Sequence, residues 1–408
     1  MQAARSNREP AWAHAPALVV DELELTILMP CLDEARTLGA CVDNALRFLE
    51  RSGIQGEVLV ADNGSRDGSR ELAEQHGARV ILVEERGYGR ALSAGIWAAR
   101  GRYVVMGDSD GSYDMAELSA FVDRLREGYD VVMGNRFRGG IERGAMRPLH
   151  RFLGNPVLSG IGRLFFGSAC GDFYCGQRGF LRAAALRMDL CSTGMEFALE
   201  MLVKASLLRL KVAEIPIVLH PDGRGRRSHL RTWRDGWRSL RLFLLHAPRW
   251  LFLYPGLVLM GIGALMGGWL LPRARSFAGV ELDLGALLCC SAAMSAGFQL
   301  AIFFVFATKL AIQRGLRRKP VRFAWLARGP RLEVSLAVGS LLFLCGLAAS
   351  LRNGFAWAPD GFTAPDPAAA LRPTIPAVLL MTLGCQVVFS SFCLGLLQLP
   401  WNPEATRD

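Results

Sequence analysis

Two carboxylates one residue apart, Asp108 and Asp110, interrupt the run YVVMGDSDGSYD at residues 103–114. The apolar stretch 103–106 predicts a buried strand, so the pair falls at a strand's C-terminal edge. Oxygen ligands spaced in this way suit a hard divalent cation that also binds a phosphate-bearing substrate. An acidic turn after a strand is also a common solvated loop, and the pair gains meaning only from its neighbours. Three other stretches close predicted strands in the same manner: Pro30-Cys31-Leu32-Asp33-Glu34, Asp62-Asn63-Gly64-Ser65 and Gly134-Asn135-Arg136. Four such positions in one crevice describe a site.

The elements that must carry them alternate. Apolar runs at 25–29, 58–61, 80–83, 103–106 and 130–133 predict strands, and segments 35–51, 69–75, 90–100 and 117–127 have helical spacing. This alternation predicts an α/β domain, a mostly parallel sheet with helices on both faces. Ligands of such sheets sit beyond the C-terminal strand edges. After Arg136 the sheet pattern fades into a Gly- and Arg-rich stretch. A helix predicted over 195–208 carries Glu196, Glu200 and Lys204 at four-residue spacing, as a self-pairing face or as part of the site. Arg231, Arg234, Arg238 and Arg241 recur every three or four residues, beside a second stripe of Trp233, Trp237, Leu240 and Leu244. A helix basic on one side and aromatic on the other lies well in a headgroup plane.

The 408 residues carry a net charge of +10 and are 51% hydrophobic, two features that are segregated along the chain. Runs 251–271, 284–308, 334–351 and 375–399 contain no Asp, Glu, Lys or Arg and have the length of a bilayer-crossing helix. Uncharged all round, they differ from amphipathic helices of a soluble core. The expected organisation is a tail at 1–24, a globular domain at 25–222, an amphipathic segment at 223–250, four spans within 251–400 and a tail at 401–408. Between the second and third runs, residues 309–331 hold eight Lys or Arg and no acid. The positive-inside rule then puts that loop, the globular domain and the C-terminus in the cytoplasm. No apolar h-region precedes Leu25, so no cleavable signal is expected. The basic charge clusters near the apolar runs, which points to anionic lipid and not to nucleic acid. None of the ten cysteines forms a CxxC pair; Cys170 and Cys175 are expected to be reduced and partly buried.

In order along the chain, MPCLDE (29–34), DNGSRDGS (62–69), GYGRALSAG (87–95), MGDSDGSYD (106–114), GNRF (134–137), GMEFALEM (194–201) and RTWRDGWRSLR (231–241) resemble the motif series of family 2 glycosyltransferases of GT-A fold. The likeness is greatest to the polyprenyl- or dolichyl-phosphate mannose and glucose synthases and covers about half of the chain. It implies that Pro30, Asp33, Glu34, Asp62 and Asp108 line the nucleotide-sugar pocket. Asp108 and Asp110, with Ser112, would hold Mg²⁺ or Mn²⁺. Where the family usually has Asn-Glu, this chain has Asp33-Glu34. Arg136 matches the arginine assigned to the acceptor phosphate; Arg151 and Asn155 match, by spacing, a second arginine and a serine there. Arg147 and Arg178 are looser candidates.

No histidine adjoins the aspartate cluster in sequence, and a phosphate acceptor removes the need for a base, being largely anionic at neutral pH. The resemblance therefore implies an inverting transfer of one hexose from a UDP-glucose- or GDP-mannose-type donor to a polyprenyl phosphate at the cytoplasmic face of a bacterial-type plasma membrane. A glycolipid acceptor on the same fold, and a catalytically silent scaffold for lipid-linked sugars, are the alternatives. Gly87-Tyr88-Gly89 suggests a dinucleotide fingerprint, but Leu92 occupies its third glycine position. The Gln-x-x-Arg-Trp signature of processive synthases is absent from the sequence. Sugar, nucleobase, isoprenoid length and oligomeric state are not specified by these residues.

Overall fold

The computed structural model describes residues 23–223, 232–277, 279–313, 332–357 and 371–397. Nearly all of the expected N-terminal tail, Arg231, most of the basic loop after Lys309 and the 401–408 tail lie outside these residues. The chain divides into two units, Met1–His246 and Ala247–Asp408.

In the first unit, β1 (Leu23–Cys31), β2 (Gly56–Asp62), β3 (Arg79–Leu82), β4 (Gly101–Met106), β5 (Val131–Asn135), β6 (Gly140–Ile141), β7 (Arg178–Leu181) and β8 (Val212–Leu219) form one sheet. Its order is β3-β2-β1-β4-β7-β5-β8-β6. The pleat sends Leu25, Ile27 and Met29 into one core and Leu28 into the other, because successive strand side chains point to opposite faces. Helices α1 (Leu38–Ser52), α2 (Ser69–Gln75), α3 (Tyr88–Ala98), α4 (Ser119–Arg126), a single turn α5 (Arg136–Gly139), α6 (Asn155–Phe166), α7 (Arg182–Arg187), α8 (Phe197–Leu207) and α9 (Thr232–His246) surround it. Leu38, Val42, Ala45 and Leu49 on α1 bury one stripe, as helical spacing requires. α1 and α4 cover one face of the sheet, and α3, α7 and α8 cover the other.

β1 pairs parallel with β2 on one side and with β4 on the other, so chain direction switches at β1 and a crevice opens beyond its C-terminal end. β7 differs from the sequence expectation. It returns from the region where the pattern fades and inserts antiparallel between β4 and β5. Met106 and Met133 both stand opposite Arg178 in register.

α9 also differs from the expected two-sided helix. Trp233, Arg234, Trp237, Arg238 and Arg241 are all exposed, while Ser239, Leu242 and Phe243 are buried. Phe243 meets Phe166 and Phe173 edge-on at 5.8 and 5.9 Å. The helix is therefore anchored in the core by a third stripe, which leaves tryptophan and arginine together on its outer surface.

The second unit contains α10 (Tyr254–Leu270), preceded by a π-helical turn at Arg249–Leu253, then α11 (Leu284–Gln313), α12 (Leu332–Trp357) and α13 (Thr374–Leu396), with a small hairpin of β9 (Arg275–Phe277) and β10 (Val280–Leu282). Four of its segments are long and apolar enough to cross a membrane: Arg249–Leu270, Leu284–Gln313, Leu332–Phe355 and Thr374–Leu396. Small residues bring their backbones close. A Cβ on Gly256 would lie 2.7 Å from the carbonyl oxygen of Gly297, and one on Gly384 would lie 2.7 Å from that of Gly339. α10 thus packs on α11, and α12 on α13.

Candidate active site

The C-terminal ends of β1, β2, β4 and β5 bring the four sequence stretches to one edge of the sheet. Asp62, the last residue of β2, is buried and accepts from the amides of Gly64 and Ser65 at 3.2–3.3 Å. Its carboxylate therefore shapes its own turn. Asp33 sits in the left-handed region at φ 57°, tolerated by a short polar side chain. Its Oδ1 accepts from the Arg66 amide at 2.8 Å, and its amide donates to Ser65 Oγ at 2.9 Å. Glu34, also buried, donates its amide to Ser69 Oγ at 2.9 Å. The two loops after β1 and β2 are thereby tied to one another.

Ser109, between the two central carboxylates, extends that tie. Its hydroxyl donates to the Pro30 carbonyl at 2.8 Å, and its own carbonyl accepts from Thr37 Oγ1 at 2.7 Å. Asp110 Oδ1 accepts from the amide and the hydroxyl of Ser112 at 2.9 and 2.6 Å. The Ser112 proton is spent on Asp110, leaving oxygen lone pairs for a cation. Asp108 Oδ1 accepts from Tyr88 Oη at 3.0 Å. Burial and then the Asp108 charge push the Tyr88 phenol well above its usual range, so it stays a donor. Asp108 Oδ2 is approached so closely by Gly176 that a Cβ there would lie 2.8 Å from it.

Tyr88 lies in the stretch GYGRALSAG (87–95), but nothing in that stretch announces its partner. It opens α3 from a turn held by backbone contact: Gly89 donates to the Thr193 carbonyl at 3.0 Å, and any Cβ on Gly87 or Gly89 would strike the carbonyls of Thr193 or Ser192. The 191–193 loop is in turn fixed by Glu200, which accepts from the amides of Cys191 and Ser192 at 2.7–3.1 Å. Glu200 and Lys204 form a buried ion pair at 2.8 Å. Burial opposes ionisation of Glu200, but Lys204 and the two amides outweigh it and hold the carboxyl below its usual range.

Arg136 is buried and is not a solvated cation. Its Nε and Nη2 donate to Asp172 at 2.7 and 2.8 Å, and its amide donates to the same carboxylate at 3.2 Å. Asp172 is fully enclosed. The 170–172 loop is held by Glu214 on β8, which accepts from the amides of Gly171 and Asp172 at 2.7 and 3.2 Å. Arg136 keeps its Nη1 edge outside this pair. Arg151 instead lies over the Phe152 ring at 5.6 Å, and Asn155 Nδ2 meets Met146 Sδ at 3.6 Å. It is His150, which bonds Thr232 Oγ1 at 2.9 Å, that shares a field with Arg136: burial, then Arg147 and Arg136, lower its pKa. Arg178 is fully buried and donates to the carbonyls of Ala198 and Cys175, bracing the middle of the sheet. Cys170 and Cys175 are free and buried; burial pushes the Cys175 thiol up to about 12.

A histidine does stand beside the aspartate loop, contrary to the sequence expectation. The His220 amide donates to the Ser112 carbonyl and that of Gly223 to the Asp110 carbonyl, at 3.0 and 2.9 Å. The long return of β8 to this edge is what places them there. The imidazole of His220 pairs with Glu142 at 2.9 Å.

Among the described residues, no group of three or more His, Cys, Asp or Glu side chains converges to hold a metal. Two aspartates and a serine oxygen fit a cation that completes its shell with water and substrate phosphates, as Mg²⁺ does. They do not fit an all-protein cage.

Carboxylates and a buried arginine meet at the C-terminal edge of a mostly parallel sheet, and three comparisons bear on the class of such a domain. Residues 26–187 match the model of glycosyl transferase family 2, and residues 305–398 match the glycosyltransferase family 2 C-terminal transmembrane region. The low-salt glycan biosynthesis hexosyltransferase Agl6 of Haloferax volcanii is 37% identical over 382 residues, 91% of this chain and 89% of the relative. Dolichyl-phosphate hexose transferase of the same organism is 31% identical over 195 residues, 48% of this chain and 82% of that protein. A solved structure, glucosyl-3-phosphoglycerate synthase from Mycobacterium tuberculosis in complex with Mn²⁺, UDP and glucosyl-3-phosphoglycerate, aligns over 55% of this chain and 78% of that one, at 21% identity and a TM-score of 0.43. The chain belongs to glycosyltransferase family 2: a GT-A-type domain followed by the family's transmembrane region in an integral membrane protein.

Proposed function

We propose that the protein transfers one hexose, with inversion, from a UDP-glucose- or GDP-mannose-type donor to a polyprenyl phosphate at the cytoplasmic membrane face. The observation that carries this reading is the gathering of Asp62, Asp108, Asp110 and Arg136 at one sheet edge in a chain with four apolar helices. Pro30, Asp33, Glu34 and Asp62 line the donor end of the crevice, and Asp108 and Asp110 face the diphosphate. A bound Mg²⁺ or Mn²⁺ would be held by those aspartates, with Ser112 beside them, and would neutralise the leaving nucleoside diphosphate. Arg136, its fork set by Asp172, offers its remaining edge to the acceptor phosphate, and Arg147, which shares the field at His150 with it, would add positive charge. Arg151 and Asn155, engaged with Phe152 and Met146 in this structure, would have to turn toward the phosphate to join them. The acceptor oxygen is already anionic at neutral pH, so attack at the sugar's C1 breaks the C1–O bond to the diphosphate with no proton to remove.

The His220–Glu142 pair supports a second reading, a hydroxyl acceptor that gives its proton to the imidazole. One experiment addresses both. Purified protein in detergent receives radiolabelled UDP-glucose or GDP-mannose and undecaprenyl phosphate, with Mg²⁺ or EDTA, beside Asp110→Ala and His220→Gln. The lipid-phosphate reading expects label in the lipid phase with wild type and His220→Gln, and a loss of at least about 10²-fold for Asp110→Ala, the scale for removing a charge-stabilising group. No transfer with donor binding retained would move the assignment to another acceptor. No donor binding at all would leave a silent scaffold.

A further inference from the structure

Charge is nearly absent from the four apolar helices, yet α11 encloses one cation. Lys309 and Thr308 are only 4% and 3% exposed, and neither Lys309 Nζ nor Thr308 Oγ1 has a hydrogen-bond partner among the described residues. The charge-free run in the sequence stops at Thr308, whereas the helix continues to Gln313, so Lys309 lies inside the folded helix and not in the loop after it. We propose that these two side chains form a binding site for a phosphate-bearing anionic group at the C-terminal end of α11.

The ligand class follows from the donors. An ammonium offers three N–H groups and no acceptor, and the adjoining hydroxyl adds a fourth donor. Consecutive helical residues stand about 100° apart, so the two side chains bracket a single sector of the helix surface. A neutral acceptor would leave the charge uncompensated, and an enclosed charge without a partner is strongly unfavourable. An anion with several oxygens satisfies both needs.

Position points the same way. At 1.5 Å per residue, the 30-residue α11 is about 45 Å long, against a hydrocarbon core of about 30 Å, so an end of it emerges at headgroup depth. Gln313 Nε2 donates to the Leu397 carbonyl, which sets this end against the end of α13. On the other side Phe252 meets Phe303 of α11 at 6.0 Å. The C-terminal dipoles of α11 and α13 favour the cation and oppose an anion, but no carbonyl bonds Nζ, so the ammonium and hydroxyl donors themselves carry the binding. Beyond Gln313 the sequence carries seven more Lys or Arg by residue 331 and no acid, a composition that draws anionic lipid.

Thermal unfolding of the full chain in neutral detergent, stripped of lipid, tests the site. Wild type and Lys309→Met are compared alone, with phosphatidylglycerol, with phosphatidylcholine and with inorganic phosphate. Without anion, Lys309→Met unfolds a few degrees higher than wild type, because an uncompensated charge is gone. Phosphatidylglycerol raises wild type by several degrees and Lys309→Met by much less, while phosphatidylcholine raises neither selectively. A matching rise with inorganic phosphate assigns the site to free phosphate; a rise with phosphatidylglycerol alone assigns it to a lipid headgroup. Equal responses of wild type and variant, or none in wild type, overturn the proposal. Native mass spectrometry supplies a second reading, wild type retaining one more phosphatidylglycerol than the variant, and Lys309→Gln replaces the methionine variant if that does not fold.

Discussion

The aspartate side and the arginine side of the crevice are held by different physics. On the aspartate side the ties are short and mostly to backbone: Asp62 to its own turn, Asp110 to Ser112, Ser109 to the Pro30 carbonyl. Each is one hydrogen bond among several, and losing one leaves the others to hold the loop. On the arginine side a single enclosed carboxylate, Asp172, takes three donors from Arg136. Breaking such a pair is costly, because removing Asp172 strands a largely buried charge. The first design can yield to a ligand's geometry. The second presents a fixed one.

The comparison is broken most severely at Asp172. Asp172→Ala leaves Arg136 buried and uncompensated, and unfolding free energy should fall by about 3–5 kcal/mol. Asp172→Asn keeps an acceptor and should lose markedly less, with the KM for the lipid acceptor rising more than the KM for the donor. Denaturant unfolding and two-substrate kinetics measure these; equal losses for the two variants would assign the effect to the charge of Asp172 alone, and wild-type stability in both would show that the ion pair does not organise this side.

Glu200 behaves as an arginine-side tie that serves the aspartate side. Its native pKa lies below its unfolded value, so its contribution is complete above about pH 4.3 and is lost as pH falls through the native pKa. Glu200→Gln should cost about 2 kcal/mol at neutral pH, the scale for a hydrogen bond to a charged group, and should converge on wild type in acid. Parallel curves of stability against pH for the two proteins would place the Glu200–Lys204 charge outside this account.

What was legible in the sequence follows the same division. β1 to β5 were readable because each is an apolar run closed by a turn residue, and their ends placed Asp62, Asp108, Asp110 and Arg136 at one edge, while the role of each came from the family resemblance. β7 was not, since four residues, Arg-Gly-Phe-Leu, carry no alternation and begin with a charge that only the fold buries. Asp172 lies 36 residues beyond Arg136, in a loop without a pattern, and nothing local announces the pairing. α9 misled for a related reason. Its tryptophans and its described arginines all face outward, and the core contact runs through Ser239, Leu242 and Phe243.

Tyr88 carries the smallest effect and the sharpest distinction, because it joins a distant packing element to a site carboxylate. Tyr88→Phe keeps the ring in place between α3 and its neighbours and deletes only the donor to Asp108 Oδ1. Freed of that bond, Asp108 can rotate, so its alignment toward the donor diphosphate is lost while the protein stays folded. We expect kcat to fall about tenfold, about 1.4 kcal/mol of barrier, with the KM for the lipid acceptor unchanged and the Mg²⁺ concentration for half-maximal rate raised. A variant at Asp172 should give the opposite split, shifting acceptor KM and leaving the Mg²⁺ requirement alone. If Tyr88→Phe instead lowers thermal stability in proportion to its loss of rate, the hydroxyl braces the fold and does not position the carboxylate, and the two sides of the crevice are less separate than their bonding suggests.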